Sequence, residues 1–214
     1  MPRGSLLAVP LRFATGEVVG VGLTLPDGEG WDTANIGRAI VRSGAEQTSL
    51  ALRTDAGGRV RFAVPTAGPA VLIVSAGPSR DGNRPDAWQH ATSTAKAFLR
   101  VEGPDGSLPT RSDPGTTAKV GLPTELVPLV SPLRLRVGDV LPLRAYVRNA
   151  SRTGVVIHAT RGGGGLTTAA TDEVGSTELT IDRSGSWLVQ FAVGHEGREH
   201  LAQLLFEIPT EGDR

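Results

Sequence analysis

Apolar and polar residues alternate along much of this chain, and the clearest run covers residues 171–193. Turn residues such as Asp172, Gly175 and Gly185 divide this run into two strand-like parts. Successive side chains of a strand point to opposite faces, so a period of two predicts a strand with one buried face. In the second part, every other position holds a large apolar residue: Trp187, Val189, Phe191 and Val193. The run is therefore predicted to form a β-hairpin with Trp187 in the core.

Short runs of the same kind recur throughout the chain and are separated by turns. Gly and Pro account for 28 and 15 of the 214 residues, which is typical of many short strands joined by tight turns. No stretch of useful length shows the period of an amphipathic helix, so the chain is predicted to be all-β. The predicted strands cover residues 6–13, 17–25, 38–42, 48–53, 59–64, 71–75, 95–101, 126–130, 140–148, 155–160, 177–181, 187–193 and 201–208.

The order of these elements repeats once along the chain. The pattern Thr-Asp-x-x-Gly begins at Thr54 and again at Thr171, and the same interval separates Gly68 from Gly185. Further upstream, Leu-Arg-Phe-x-x-Gly in the first half matches Leu-Arg-Leu-x-x-Gly in the second, which begins at Leu133. The repeat predicts two units of similar fold, each long enough for a sandwich of seven or eight strands.

The domain boundaries follow from this repeat and from a change in composition. Residues 104–119 are rich in Gly, Pro, Ser, Asp and Thr and contain little that is apolar, as a linker does. We therefore predict two tandem Ig-like or transthyretin-like β-sandwich domains. They cover residues 1–103 and residues 120–214, and the linker covers residues 104–119.

Composition excludes several classes of function. The chain has 22 basic and 22 acidic residues, so it lacks the positive excess that binding to nucleic acid requires. It has no cysteine, which excludes disulfides, Cys-ligated metals and thiol catalysis. No apolar run approaches the roughly 18 residues of a transmembrane helix. The first ten residues are too weakly apolar for a signal peptide, so either export is absent or a signal lies upstream of this numbering.

Several motifs between Ala95 and Phe191 are more specific than this general pattern. They are Ala-Lys-Ala-Phe-Leu-Arg-Val from Ala95, Val-Gly-Leu-Pro-x-Glu-Leu-Val-Pro-Leu-x-x-Pro from Val120, Gly-Asp-x-Leu from Gly138, Thr-Asp-x-x-Gly from Thr171 and Gly-x-Trp-Leu from Gly185.

On these motifs the segment resembles an uncharacterised bacterial family of exported β-sandwich proteins. Members of that family are often described as periplasmic components of nickel or cobalt uptake. The resemblance implies a β-sandwich fold, an extracytoplasmic (periplasmic) location and a link to metal uptake. Family members usually begin with a His-containing segment, whereas residues 8–13 of this chain contain no histidine.

A candidate metal site lies in the last predicted hairpin, at His195, Glu196 and His200. With a four-residue loop between them, the two imidazoles would face each other and could bind a metal together with Glu196. The spacing is not His-Glu-x-x-His, and the residues lie on strands, so a zinc-protease site is excluded. A polar hairpin tip is the alternative.

Two further features suggest contact with a partner. The loop Gly162, Gly163, Gly164 and Gly165 lacks the lysine and helix of a phosphate loop, so it is either a mobile hairpin tip or a binding loop. Trp31 and Trp88 lie next to predicted loops, and exposed aromatic residues there are suited to contact with a protein or a sugar.

No catalytic motif is present, and we predict no enzyme activity and no cofactor. There is no Gly-x-Ser-x-Gly, and no set of Ser, His and Asp can be proposed from spacing. The predicted function is that of a non-catalytic, extracytoplasmic binding or scaffolding protein, an accessory subunit that docks on a larger membrane-associated protein complex. The alternatives are a periplasmic accessory of nickel or cobalt uptake, and a carbohydrate-binding module that uses Trp31 or Trp88.

Overall fold

The computed structural model describes residues 7–8, 11–23, 36–43, 46–49, 53–54, 60–64, 67–76, 90–103, 114–162, 164–195 and 198–210. Within these ranges all regular elements are strands, apart from 3-10 turns at Pro114–Thr116 and Pro132–Arg134, so the predicted all-β class is confirmed. None of the described residues forms a helix long and apolar enough to cross a membrane.

The regular elements described in the first half are all strands. Their bounds are β1 Leu7–Ala8, β2 Arg12–Ala14, β3 Val18–Leu23, β4 Ile36–Ser43, β5 Glu46–Ser49, β6 Arg53–Thr54, β7 Val60–Ala63, β8 Gly68–Ala76 and β9 His90–Glu102.

The second half follows the same plan. Its strands are β10 Thr124–Pro128, β11 Val140–Val147, β12 Ala150–Ser151, β13 Val156–Arg161, β14 Leu166–Ala170, β15 Ser176–Thr180, β16 Gly185–His195 and β17 Arg198–Ile208.

Several strand predictions were wrong. Residues 48–53 were predicted as one strand, but β5 ends at Ser49 and pairs with β4, whereas β6 begins at Arg53 and pairs with β7. Residues 6–13 were predicted as one strand, but β1 pairs with β3 while β2 pairs with β9, so the chain changes sheets between them. Strand β14 was not predicted, because its sequence Leu-Thr-Thr-Ala-Ala has no apolar alternation. It is held by pairing with β13, from Val156 opposite Ala170 to Thr160 opposite Leu166.

The β-hairpin predicted over residues 171–193 was also wrong. Its two strands, β15 and β16, lie in different sheets, because β15 pairs with β11 while β16 pairs with β13 and β17.

The strands form three sheets. One has the order β1-β3-β7-β6, and a second has β10, β11 and β12 with β15 also paired to β11. The third has nine strands in the order β14-β13-β16-β17-β9-β8-β4-β5, with β2 paired to β9. In the first half, the sheet β1-β3-β7-β6 and the strands β4, β5, β8 and β9 correspond to the two sheets of an immunoglobulin-type sandwich.

The internal repeat is visible in the hydrogen bonds of the structure. The backbone N–H of Gly16 donates to Val64 O at 3.0 Å, and that of Gly138 donates to Ile181 O at 2.7 Å. Both glycines have a positive φ, +77° and +97°, a conformation that costs a residue with a Cβ about 1–2 kcal/mol. After each turn the next strand pairs in the same register, with Val18 opposite Ala63 in the first half. The corresponding pair of the second half is Val140 and Thr180.

The two halves share the nine-stranded sheet, because β17 pairs with β9 in parallel, from Glu199 opposite His90 to Leu205 opposite Ala97. Residues 104–113 of the predicted linker lie outside the described part of the chain. Gly115 and Thr116, at its other end, are buried. The division into two separate domains stays a prediction.

Two apolar cores lie on opposite faces of this shared sheet. Strand β8 contributes to both, since Val71 and Ile73 belong to one core while Leu72 and Val74 belong to the other. Strand β8 was predicted as a continuous apolar run, which is typical of a strand buried on both faces. The core of the second half is therefore extended by residues of the first half: Ile40, Val71, Ile73 and Phe98.

The Thr-Asp-x-x-Gly motif forms the turn between β14 and β15, which lie in different sheets because β14 pairs with β13 and β15 pairs with β11. Thr171 Oγ1 donates to Arg152 O at 2.7 Å and accepts from Val155 N at 2.9 Å. Asp172 Oδ1 accepts two backbone N–H groups, from residues 174 and 176. Gly175 has φ +78°, and a Cβ there would lie 2.8 Å from Arg152 N. Each motif residue thus has a structural role in the turn, as predicted for a motif that specifies fold.

Candidate functional site

The motifs that carry the family resemblance meet at a buried ion pair. Lys96 lies on β9 and Glu125 on β10, and Lys96 Nζ is 2.5 Å from Glu125 Oε1. The two side chains are 4% and 0% exposed. Lys96 Nζ also donates to Leu126 O at 3.2 Å. The pair therefore connects a strand of the first half to the segment that begins the second half.

Glu125 also organises the turn that precedes it. Its carboxylate accepts backbone N–H groups from Val120 at 2.7 Å, Gly121 at 3.0 Å and Leu122 at 3.1 Å. Gly121 has φ +76°, which favours glycine at this position of the motif. Since hydrogen bonds of this kind compensate a buried charge, Val-Gly-Leu-Pro-x-Glu is explained as a structural motif.

Burial lowers the pKa of the Lys96 amino group, and the neighbouring Glu125 carboxylate opposes this effect. A lysine with a lowered pKa is a common feature of catalytic sites. Here, however, its amino group is occupied by the carboxylate and by the backbone oxygen of Leu126. The arrangement is that of a buried structural pair.

A cleft of about 520 Å³ opens on the second half, at the end where β13 begins and β16 ends. Its size lies in the range of small-molecule sites. His158 and Gln190 lie opposite each other on its wall, and Gln190 accepts a 3.0 Å hydrogen bond from Gln203 Nε2. His158 Nδ1 is buried and has no hydrogen-bond partner among the described residues. Among its described lining residues, only Arg152 and His158 have ionisable side chains, so no acid–base pair is formed there.

The candidate metal residues are not arranged as expected. Only residues 196–197 separate β16 from β17, so the predicted four-residue loop was wrong. The Cα partner of His195 is Arg198, and that of His200 is Val193, so the two histidines are not cross-strand partners. His200 is 8% exposed. Glu196 lies outside the described residues, and within those that are described no three His, Cys, Asp or Glu residues form a metal-binding group.

The glycine loop forms a hydrogen bond to β16 and packs closely against the side chain of Arg161. Gly162 N donates to Ser186 O at 2.8 Å, and Gly164 N donates to Arg161 O at 3.0 Å. A Cβ on Gly165 would lie 2.2 Å from the Arg161 guanidinium. That guanidinium bonds to the Asp182 carboxylate and lies 5.8 Å from the centre of the Trp187 ring.

Of the three tryptophans, the structure describes only Trp187. Trp187 is 1% exposed and belongs to the core, which confirms the prediction made for it. Trp31, Trp88 and Gly163 lie outside the described residues. Their roles in partner binding, and that of the rest of the glycine loop, stay predictions.

Sequence reasoning missed an apolar surface at one end of the second half. We call it the turn-end patch and define it as Leu129, Val130, Val137 and Val140, which are 44%, 40%, 53% and 44% exposed. Leu129 and Val130 follow β10, and Val137 lies in the turn that precedes Val140 of β11. The N–H of Leu129 donates to Pro142 O at 2.9 Å, which brings the two segments together.

One position of the turn-end patch has a counterpart in the first half. Val18 corresponds to Val140 in the repeat and is 62% exposed. Because β9 and β17 run in parallel, the corresponding ends of the two halves point in the same direction. The signal in the sequence was the Gly-Glu-Val and Gly-Asp-Val pair at Gly16 and Gly138, in which a valine directly follows the turn.

The structure is that of an all-β protein in which β-sheets pack face to face as a β-sandwich. Residues 73–195 match the family model DUF4198, a domain of unknown function. This match covers more than half of the 214 residues, so the chain belongs to the DUF4198 family.

The solved structures that match the chain are distant from it in sequence and in structure. An alpha-2-macroglobulin mutant from Salmonella is 13% identical, with a TM-score of 0.31; the match covers 95% of this chain but only 16% of that protein's length. The D0-D1 domain of intimin is 14% identical with a TM-score of 0.25, covering 92% of this chain and 94% of that one. The mouse nectin-like molecule 4 ectodomain, Ig1 to Ig3, is 12% identical with a TM-score of 0.27, covering 99% and 67%.

These TM-scores are too low to support an argument about function. No curated protein matches the chain in sequence.

Proposed function

We propose that this chain is a non-enzymatic docking protein and that the turn-end patch is the surface that binds its protein partner. The observation that carries the proposal is the grouping of four exposed aliphatic side chains in two adjoining segments at one end of the second half. Single exposed aliphatic residues are normal on a protein surface, whereas a group of them marks an interaction site.

The surroundings of the patch favour a protein over a charged ligand. Arg134 and Arg136 are exposed beside it, and so is Asp139. The Asp139 carboxylate accepts the backbone N–H of Arg136 at 2.8 Å, and it lies in the same turn as Val137. An apolar centre with a polar rim of both charge signs is the composition of a protein interface.

The rest of the proposal concerns location and assembly. We place the chain outside the cytoplasm, in the periplasm, as an accessory subunit of a larger membrane-associated complex. Support for this comes from the motifs that resemble exported bacterial proteins, in particular the run that begins at Val120. A nickel or cobalt role would rest on the same resemblance and on His195, Glu196 and His200. Calorimetry with Ni²⁺ or Co²⁺ on the wild type and on His200→Ala decides it.

The docking proposal is tested by co-purification from membrane fractions of the source cell. The bait is the tagged chain, compared with a double variant that combines Val137→Ser and Val140→Ser. We expect the wild type to enrich a defined protein. The double variant should recover at least about tenfold less of that protein, which corresponds to a loss of roughly 1.4 kcal/mol in binding free energy. Exposed substitutions of this kind change folding stability by about 0.5 kcal/mol or less.

The matched control is Val174→Ser. Val174 is 57% exposed and lies at the opposite end of the second half, in the turn before β15. The control should retain the partner at the wild-type level. If the double variant and Val174→Ser recover the same proteins as the wild type, the patch is not the docking surface.

A further inference from the structure

Strand β14, Leu166–Ala170, is one edge of the nine-stranded sheet as described. An edge strand presents unpaired backbone groups, and proteins usually protect such edges with charges, prolines or bulges. The sequence of β14 is Leu-Thr-Thr-Ala-Ala, with neither charge nor proline, and four of its five residues are exposed. By contrast β5, at the other end of the sheet, begins with the charged residue Glu46.

The hydrogen-bond pattern shows which groups of β14 point outward. Thr171 N donates to Val155 O at 2.9 Å, so the backbone of Thr171 faces β13. In an antiparallel pair this direction alternates from residue to residue. The backbone groups of Thr167 and Ala169 therefore also face β13, and those of Leu166, Thr168 and Ala170 point away from it.

We propose that β14 is a self-association edge: two copies of the chain pair their β14 strands antiparallel, centred on Thr168, and so join their sheets. The chain already joins sheets edge to edge, since β17 pairs with β9. A two-fold arrangement about Thr168 places threonine opposite threonine, and such cross-strand pairs are favourable. It also places Asp172 opposite Gly164, so no like charges meet within this stretch.

The side chains beside the edge support a second copy as the occupant. Val156 lies opposite Ala170 on β13 and β14, and Val156 and Leu166 are each 48% exposed. In the proposed pairing, Ala170 of one copy lies opposite Leu166 of the other. Val156, Ala170 and Leu166 of the second copy then form one apolar row across the junction. The two exposed aliphatic side chains would thereby contact apolar neighbours and lose exposure to water.

The absence of cysteine from the 214 residues allows a direct test of this geometry. In an antiparallel pair, opposite Cα atoms are about 4.5–5.5 Å apart, which lies within the range that a disulfide bridges. We expect Thr168→Cys to form a covalent dimer under a mild oxidant. Ala170→Cys alone should not, because two such residues lie four positions apart in register. A mixture of Leu166→Cys and Ala170→Cys chains should cross-link.

Ser49→Cys is the matched control, since Ser49 on β5 occupies the position that corresponds to Thr168 in the repeat and is also exposed. It should remain monomeric under the same oxidant. If Thr168→Cys does not cross-link, or if Ser49→Cys cross-links equally well, the proposal is overturned.

Sedimentation of the unmodified chain provides an independent measurement. We expect a dimer that forms with increasing concentration between about 1 µM and 1 mM. Thr168→Lys places like charges opposite each other and should raise the dissociation constant at least about tenfold, whereas Ser49→Lys should not. A wild type that stays monomeric over this range contradicts the proposal. The combined Val137→Ser and Val140→Ser variant should still dimerise, which separates this test from that of the docking surface.

Discussion

Trp187 combines three kinds of contact at a single position. Its ring is stacked on that of Phe206, with a centroid distance of 6.3 Å and an interplanar angle of 4°. Its indole N–H donates to Arg183 O at 3.2 Å, and the Arg161 guanidinium lies over its face. Apolar packing and hydrogen bonding thus both depend on this residue, although alternation alone was enough to predict its burial.

Replacing Trp187 by alanine should destabilise the protein by about 3–5 kcal/mol. The substitution leaves a cavity, removes the contacts with Phe206, and leaves the backbone oxygen of Arg183 without the indole N–H that donates to it. Urea denaturation followed by circular dichroism measures the change. Ser186→Ala, on the same strand but exposed, is the control and should stay within about 0.5 kcal/mol of the wild type. A loss below about 1 kcal/mol for Trp187→Ala would contradict the core role.

The Arg161 and Asp182 pair predicts a pH dependence. The hydrogen bond from Arg161 lowers the pKa of the Asp182 carboxyl from its usual 3.8. A carboxyl with a lowered folded-state pKa contributes stability above its unfolded pKa, and this contribution is lost as pH falls through the folded pKa. Asp182→Asn should therefore flatten the fall in stability below about pH 4. Thermal unfolding between pH 2 and pH 5, with Glu173→Gln as an exposed control, tests this; equal slopes for wild type and Asp182→Asn would refute it.

At the scale of elements, β9 and β10 are held together by Lys96 and Glu125. Both motifs were recognised in the sequence as family markers. The sequence could not show that Lys96 and Glu125 form an ion pair, because 28 residues lie between them along the chain. The periodicity of each strand is local, whereas the partner of a buried charge is decided by tertiary packing.

Removing one member of this pair should cost more than removing both charges. Lys96→Met leaves the carboxylate buried without its cation, and losses of about 3–5 kcal/mol are typical. The combined Lys96→Met and Glu125→Gln variant should be more stable than Lys96→Met alone, because glutamine is neutral and its oxygen still accepts backbone N–H groups. Chemical denaturation measures both. If the double variant is the less stable one, the charge on Glu125 is not what makes the single change costly.

The strands also show where local pattern is insufficient. Strand β16 was predicted because Trp187, Val189 and Phe191 alternate with smaller or polar neighbours. Strand β14 has no such alternation. It is a strand because its backbone pairs with that of β13. The hairpin between β16 and β17 was predicted, but its loop length was not, so the predicted pairing of His195 with His200 was wrong.

At the scale of the whole molecule, the two halves are joined by more than a connection in the chain. They share a sheet through β9 and β17, and the outer face of the first half is covered by the core of the second. Residues 1–103 alone would expose four large side chains to water: Ile40, Val71, Ile73 and Phe98. Such a surface is apolar enough to promote association.

A fragment of residues 1–103 should therefore bind a hydrophobic dye and unfold at lower denaturant concentration than the full chain. Dye fluorescence and denaturation curves of the fragment and the full chain provide the comparison. A fragment that stays monomeric, binds no dye and unfolds cooperatively would show instead that the first half is an independent domain, as the linker composition suggested.

The sequence by itself determined the all-β class, the internal repeat, the chemistry of the Thr-Asp-x-x-Gly turn and the burial of Trp187. These features depend on side-chain alternation and on the φ preferences of a few turn residues, and both act over short distances along the chain. Only the tertiary structure decided that β9 pairs with β17, that β8 is buried on both faces, that Lys96 meets Glu125, and that β14 and the turn-end patch lie at the surface. Those features depend on contacts between distant residues, which no local pattern encodes.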